Sequence, residues 1–163
     1  MIAPVTRLDA PRPADFEVLL RLFTEPAVRA HLGGPLSPAD AERRVNGILA
    51  DRTGEVQTVR ASQEPDAEAI GLVWLAPHHE EADLEFSILL LPEWQGRGHG
   101  FRSGTQVLRR AFREFRLLRV VAETRSANAP CIALLERLGM RFDRSFQRFG
   151  AEQSLYAISN PAF

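Results

Sequence analysis

Lysine is absent from this 163-residue chain, and all 20 basic residues are arginine. A Walker-type phosphate loop needs a lysine, and so does a pyridoxal Schiff base, so both chemistries are excluded. A single cysteine, Cys131, excludes an internal disulfide framework and most cysteine-based metal centres. No apolar run is long enough to span a bilayer. The first 13 residues carry Arg7, Asp9, Arg12 and three prolines rather than the apolar core of a signal peptide. A net charge of -1 gives no global attraction to nucleic acid or to an anionic membrane. Aromatics interleaved with a basic stripe are missing too, which argues against a nucleic-acid module. The expected setting is the cytoplasm, with neither nucleic acid nor membrane as partner.

What is present is the composition of a folded protein, 45% hydrophobic and 25% charged, at a length that suits one domain over residues 1–163. No repeat, low-complexity tract or linker divides it. Val5 to Leu8 suits a first strand. Phe16, Leu19, Leu20 and Phe23 recur at helical spacing, with Pro26 as the expected stop. Ser37-Pro38 is a favoured N-cap and first helical position, followed by acidic Asp40 and Glu42. Strands are expected over Val56 to Ala61 and Ala69 to Leu75. From Glu81 onward, Glu81, Asp83, Glu85 and Ser87 alternate with Ala82, Leu84, Phe86 and Ile88 on opposite faces. A helical stripe runs from Phe101 to Phe115, and Leu117 to Glu123 reads as a strand. Asn128 to Leu138 reads as a helix ended by Gly139, before a closing antiparallel pair. The result is a mixed α+β fold.

Between the apolar run Leu89-Leu90-Leu91 and the Phe101 helix lies Gln95-Gly96-Arg97-Gly98-His99-Gly100. A strand that passes through glycines into a helix presents backbone N–H groups at the positive end of the helix dipole. Such a place binds phosphate without a cationic side chain. A dinucleotide fold is excluded, because G-x-G-x-x-G fails at Phe101 when counted from Gly96 and at Ser103 when counted from Gly98. Such a fold also needs an early parallel βαβ unit, and here helices and strands of another order come first.

The glycine run resembles the Q/R-x-x-G-x-G/A signature of the GNAT superfamily of N-acetyltransferases, in the same setting between a fourth strand and a third helix. Asn128 and the segment Ala133-Leu134-Leu135-Glu136-Arg137-Leu138-Gly139-Met140 resemble the superfamily's second landmark, an Asn-led helix with a Leu-Gly-Phe-like end. The resemblance covers essentially the whole chain in element order. It implies a mostly antiparallel twisted sheet of about seven strands, splayed between strands four and five and flanked by four helices. It implies acetyl-coenzyme A as co-substrate in that gap, and no metal. Gln95, Gly96, Arg97, Gly98, His99 and Gly100 would surround the pyrophosphate, mostly through backbone. Leu89 and Leu90 would meet the pantetheine and acetyl group as an added strand does. Asn128 would reach the pantetheine from the far wall. The stretch from Phe16 to Glu42 resembles the ribosomal-protein N-terminal acetyltransferase-like branch, which also includes acetyltransferases of amino acids and some antibiotics.

Acetylating an amine requires a deprotonated nitrogen, a stabilised oxyanion and a proton for the departing thiolate. Glu85 is the candidate base, nearest the apolar run, although a solvated strand face would look the same. The tyrosine that many members place in the second-landmark helix is replaced by Leu135, and Tyr156 lies on the last strand. Cys131, three residues after Asn128, is the alternative proton donor, or else a small buried helix residue. His78, His79 and Glu80 read as loop polarity, and Arg109, Arg110 and Arg113 as a solvated helix face. The expected partner is a small-molecule or peptide amine, with a homodimer left open. The rival readings are an antibiotic-modifying acetyltransferase and a non-catalytic acyl-coenzyme A sensor.

Overall fold

A computed structural model describes residues 5–162. Its strands are β1 (Arg7–Asp9), β2 (Val56–Arg60), β3 (Ala69–Pro77), β4 (Leu84–Leu90), β5 (Arg119–Arg125), β6 (Arg141–Arg148) and β7 (Ala151–Ser159). The helices are α1 (Phe16–Thr24), α2 (Pro26–Arg29), α3 (Pro38–Ala50), α4 (His99–Arg113) and α5 (Ala129–Arg137). The strands form one sheet in the order β1-β2-β3-β4-β5-β7-β6, antiparallel except for β4 against β5. That parallel ladder holds only Leu84↔Val120 and Glu85↔Val121. Beyond Glu85, β4 stays paired with β3 as far as Leu90, while β5 stays paired with β7. The sheet therefore splits between its two central strands.

Local chemistry accounts for the element ends. Ser37 Oγ accepts the N–H of Asp40 at 3.2 Å and Pro38 opens α3, as the sequence predicts. Pro26 does stop α1 at Thr24, but it then takes the first position of the four-residue α2 and so adds a fifth helix to the expected four. The expected alternation from Glu81 starts late. Residues 78–83 form a turn, closed by His78 N–H on the carbonyl of Asp83 at 3.4 Å, and the strand begins at Leu84. Only Glu85 and Ser87 of the acidic row lie on the strand itself.

Alternation along β4 sends side chains into two cores. Phe86 joins Val73, Leu75, Val120 and Ala122 beneath Val107, Leu108 and Ala111 of α4 and Leu135 of α5. Leu89 faces the other way and packs with Leu72 beneath Leu19, Leu22 and Phe23 of α1 and Val45 of α3. Glu85 shares the parity of Leu89 and so belongs to the α1/α3 side of the sheet. At the sheet's edge the fully buried Arg60 donates to both carboxylate oxygens of Asp15, at 2.9 and 2.8 Å, and to Asp9 at 2.7 Å. This network ties β1, β2 and the turn before α1 together.

Candidate active site

The glycine run folds as the sequence implies. A short turn of helix over Pro92–Trp94 leads to Gln95, and Gly96 and Gly98 take left-handed φ values of 71° and 85°. A side chain is strained in that conformation, so glycine is required at both turns. Gly98 is the N-cap of the 15-residue α4 and supplies no side-chain cap. By contrast, Ser37 caps α3 and Asn128 caps α5. The start of α4 is therefore an open cradle of backbone donors at the positive end of a long dipole.

The neighbouring candidates fall into place unevenly. The amide of Gln95 donates to the carbonyl of Leu90 at 3.0 Å, so it braces the end of β4. Arg97 lies over the Trp94 ring at 5.2 Å. The His99 side chain turns inward, buried, with Nδ1 2.9 Å from Thr6 Oγ1 and its ring edge-on to Trp94. Burial, followed by the charges of Arg102 and Arg97, pushes its pKa down. Only its backbone faces the cradle. Asn128 Oδ1 accepts the N–H of Cys131 at 3.3 Å, which commits that oxygen to the helix cap. Arg109 and Arg113 line a cavity with Arg116 and Asn160 at the far end of α4. Arg109 lies about 16 Å along the axis from Gly98 at 1.5 Å per residue, away from any phosphate held there.

Glu85 stands where the β4–β5 ladder ends. Its Oε2 accepts the backbone N–H of Glu123 at 3.2 Å, and among the described residues no arginine pairs with it. Burial, the largest effect, pushes its pKa up against the opposing hydrogen bond from the Glu123 N–H. The other acids of the expected row are neutralised. Asp83 pairs with Arg119 at 2.8 Å, and Glu81 with Arg144 at 2.6 Å.

Two residues of this centre escaped the sequence reading. His78 is not loop polarity, since its side chain is fully buried and its Nε2 lies 2.6 Å from Glu123 Oε2. Glu123, which the sequence placed only as the end of a strand, sits inside β5 with a nearly buried side chain. A charge directly after the apolar run Val120-Val121-Ala122 is the signal that could have found it, because carboxylates are rarely buried without a partner. Cys131 is partly buried on α5. Burial raises its thiol pKa against a hydrogen bond with Thr124. Tyr156 packs edge-on to Phe142, inside the core beneath α4 and α5.

Several known proteins share this architecture. An acetyltransferase (GNAT family) from Bacillus anthracis matches with a TM-score of 0.82 at 18% identity, over 98% of this chain and 97% of that one. A spermidine N-acetyltransferase from Vibrio cholerae, described in complex with CoA and spermine, matches with a TM-score of 0.77 at 21% identity, over 95% of each chain. A ribosomal-protein-S5-alanine acetyltransferase from Vibrio fischeri matches with a TM-score of 0.71 at 15% identity, over 96% and 93%. No curated protein matches the chain. Among the described residues, no helix is long and apolar enough to cross a membrane. The acetyltransferase (GNAT) domain family matches residues 6–141, and the chain belongs to that family of N-acetyltransferases.

Proposed function

We propose that the protein transfers the acetyl group of acetyl-coenzyme A to a small primary amine by direct attack in a ternary complex. One observation carries this reading: the β4–β5 split has an uncapped helix start beside one end and, at the other, a half-buried carboxylate with no arginine partner among the described residues. A pyrophosphate fits the backbone donors from Gly96 to Gly100, and an extended pantetheine fits the open edge of β4 near Leu89 and Leu90. Asn128 walls the opposite side. Glu85 takes a proton from the bound ammonium, and the freed nitrogen lone pair attacks the acetyl carbonyl carbon. The carbon–sulfur bond then breaks, and the thiolate takes up a proton. Cys131, on the helix that Asn128 caps, is the candidate donor for that last step.

The structural relatives act on acceptors as different as spermidine and a ribosomal-protein alanine. At such identities they share a fold and do not choose the acceptor. The acidic centre favours a small cationic amine over the ribosomal-protein branch. Thiol release from acetyl-coenzyme A, followed across spermidine, a free amino acid, an aminoglycoside and an alanine-initiated peptide, tests this reading. Turnover with spermidine or the aminoglycoside supports it. Turnover with the peptide alone moves the protein to the ribosomal-protein branch. Binding without any turnover makes the protein an acyl-coenzyme A sensor.

A further inference from the structure

His78 carries unusually complete information about its own proton. Its Nδ1 accepts the backbone N–H groups of Glu80 and Glu81, both at 3.1 Å. With that lone pair taken, the ring proton sits on Nε2, and Nε2–H donates to Glu123 Oε2 at 2.6 Å. The other oxygen of Glu123 lies 3.4 Å from Arg148 Nε, and its backbone N–H donates to Glu85. One carboxylate oxygen each of Glu85 and Glu123 and a ring nitrogen of His78 all lie within 4.8 Å of one another.

A divalent cation would fit that spacing but not that proton. Metal on Nε2 needs a lone pair there and a hydrogen on Nδ1, where two backbone donors already point. A primary ammonium has three N–H donors and needs only acceptors, which two neighbouring carboxylates supply.

We propose that Glu123 is the second carboxylate of the acceptor subsite, gripping the ammonium together with Glu85, and that His78 is the positioning residue that aims Glu123. The inference rests on the acetyltransferase reading above and narrows the acceptor class. The acceptor is an aliphatic amine that is cationic at neutral pH, not an arylamine or hydrazide. Glu123 binds and orients the ammonium, while Glu85 removes one of its protons before attack.

Steady-state kinetics with spermidine and the other amines of the panel, against aniline, tests this, supported by the imidazole nitrogen spectrum of the protein. Glu123→Gln can still accept the His78 bond but loses the charge. It is expected to raise KM for the aliphatic amine about 10- to 100-fold, the range for a hydrogen bond to a charged group. Acetyl-coenzyme A affinity should hold within about twofold, which also shows that the variant folds. His78→Leu should reproduce the KM rise and add less than about twofold in the Glu123→Gln background. His78→Gln, with an amide N–H near the Nε2 position, should restore most of the wild-type KM. The nitrogen spectrum should show the proton on Nε2.

An unchanged amine KM in Glu123→Gln, full additivity of the two variants, a proton on Nδ1, or turnover that chelation abolishes and zinc restores would each overturn the proposal. So would aniline turning over as well as the aliphatic amines. A wild-type protein inert toward the whole panel would instead sink the acetyltransferase reading itself.

Discussion

Glu85 meets two opposing demands, because the burial that disfavours its charge also makes it a better proton acceptor once ionised. Glu85→Gln is expected to lower kcat about 100- to 10,000-fold, the usual worth of a positioned base, with acetyl-coenzyme A affinity unchanged. A fully active variant would remove Glu85 from the mechanism. The sign of the pH dependence follows from the raised pKa. Activity should fall as pH drops through a value above the ordinary glutamate range, since Glu85 accepts a proton only when ionised. The folded state also binds a proton there more tightly than the unfolded chain does. Stability should therefore decline as pH rises from the unfolded value through the folded one. Glu85→Gln should in consequence raise Tm at neutral pH, and the gain should vanish in acid, as calorimetry at several pH values would show. The sequence placed Glu85 on a strand beside the apolar run Leu89-Leu90-Leu91, where the structure also has it. It did not reveal Glu123 and His78, because Glu123 stands 38 residues from Glu85 and 45 from His78 and meets them only once β4 lies beside β5.

Among the elements, α4 and its glycine entry are the proposed seat of cofactor recognition. Gly98→Trp combines a left-handed φ of 85° with a side chain directed at Arg102, whose guanidinium an added Cβ would already meet at 2.5 Å. Loss of acetyl-coenzyme A binding in a folded protein is the expected result, read by calorimetric titration, and unchanged affinity would contradict the assigned cradle. Removal of Arg60 tests a different element junction. Arg60→Leu leaves Asp15 without its cation and Asp9 with Arg7 alone, and is expected to cost about 3 to 5 kcal/mol in denaturant unfolding. Helix starts were readable because Ser37-Pro38, Gly98 and Asn128 each act locally. The start of β4 was not, since charges at Glu81 and Asp83 mimic alternation while their ion pairs with Arg144 and Arg119 hold them in a turn.

Across the whole molecule, the split between β4 and β5 opens an otherwise continuous sheet at the candidate site. Two parallel pairs hold the strands together at Leu84 and Glu85, and the carboxylate centre sits at that apex. From there the edge of β4 leads toward Leu90, braced by Gln95 at the entrance to α4. Element order and the glycine spacing made this architecture legible. The apex itself depends on register between strands separated by a helix, which local pattern does not encode. The central claim is that this opening holds acetyl-coenzyme A, and calorimetric titration of the purified protein tests it most directly. Saturable one-to-one binding, lost in Gly98→Trp and retained in Glu85→Gln, is the predicted result. No binding at high ligand concentration by a protein shown to be folded would contradict the account and reduce the glycine run to a structural turn.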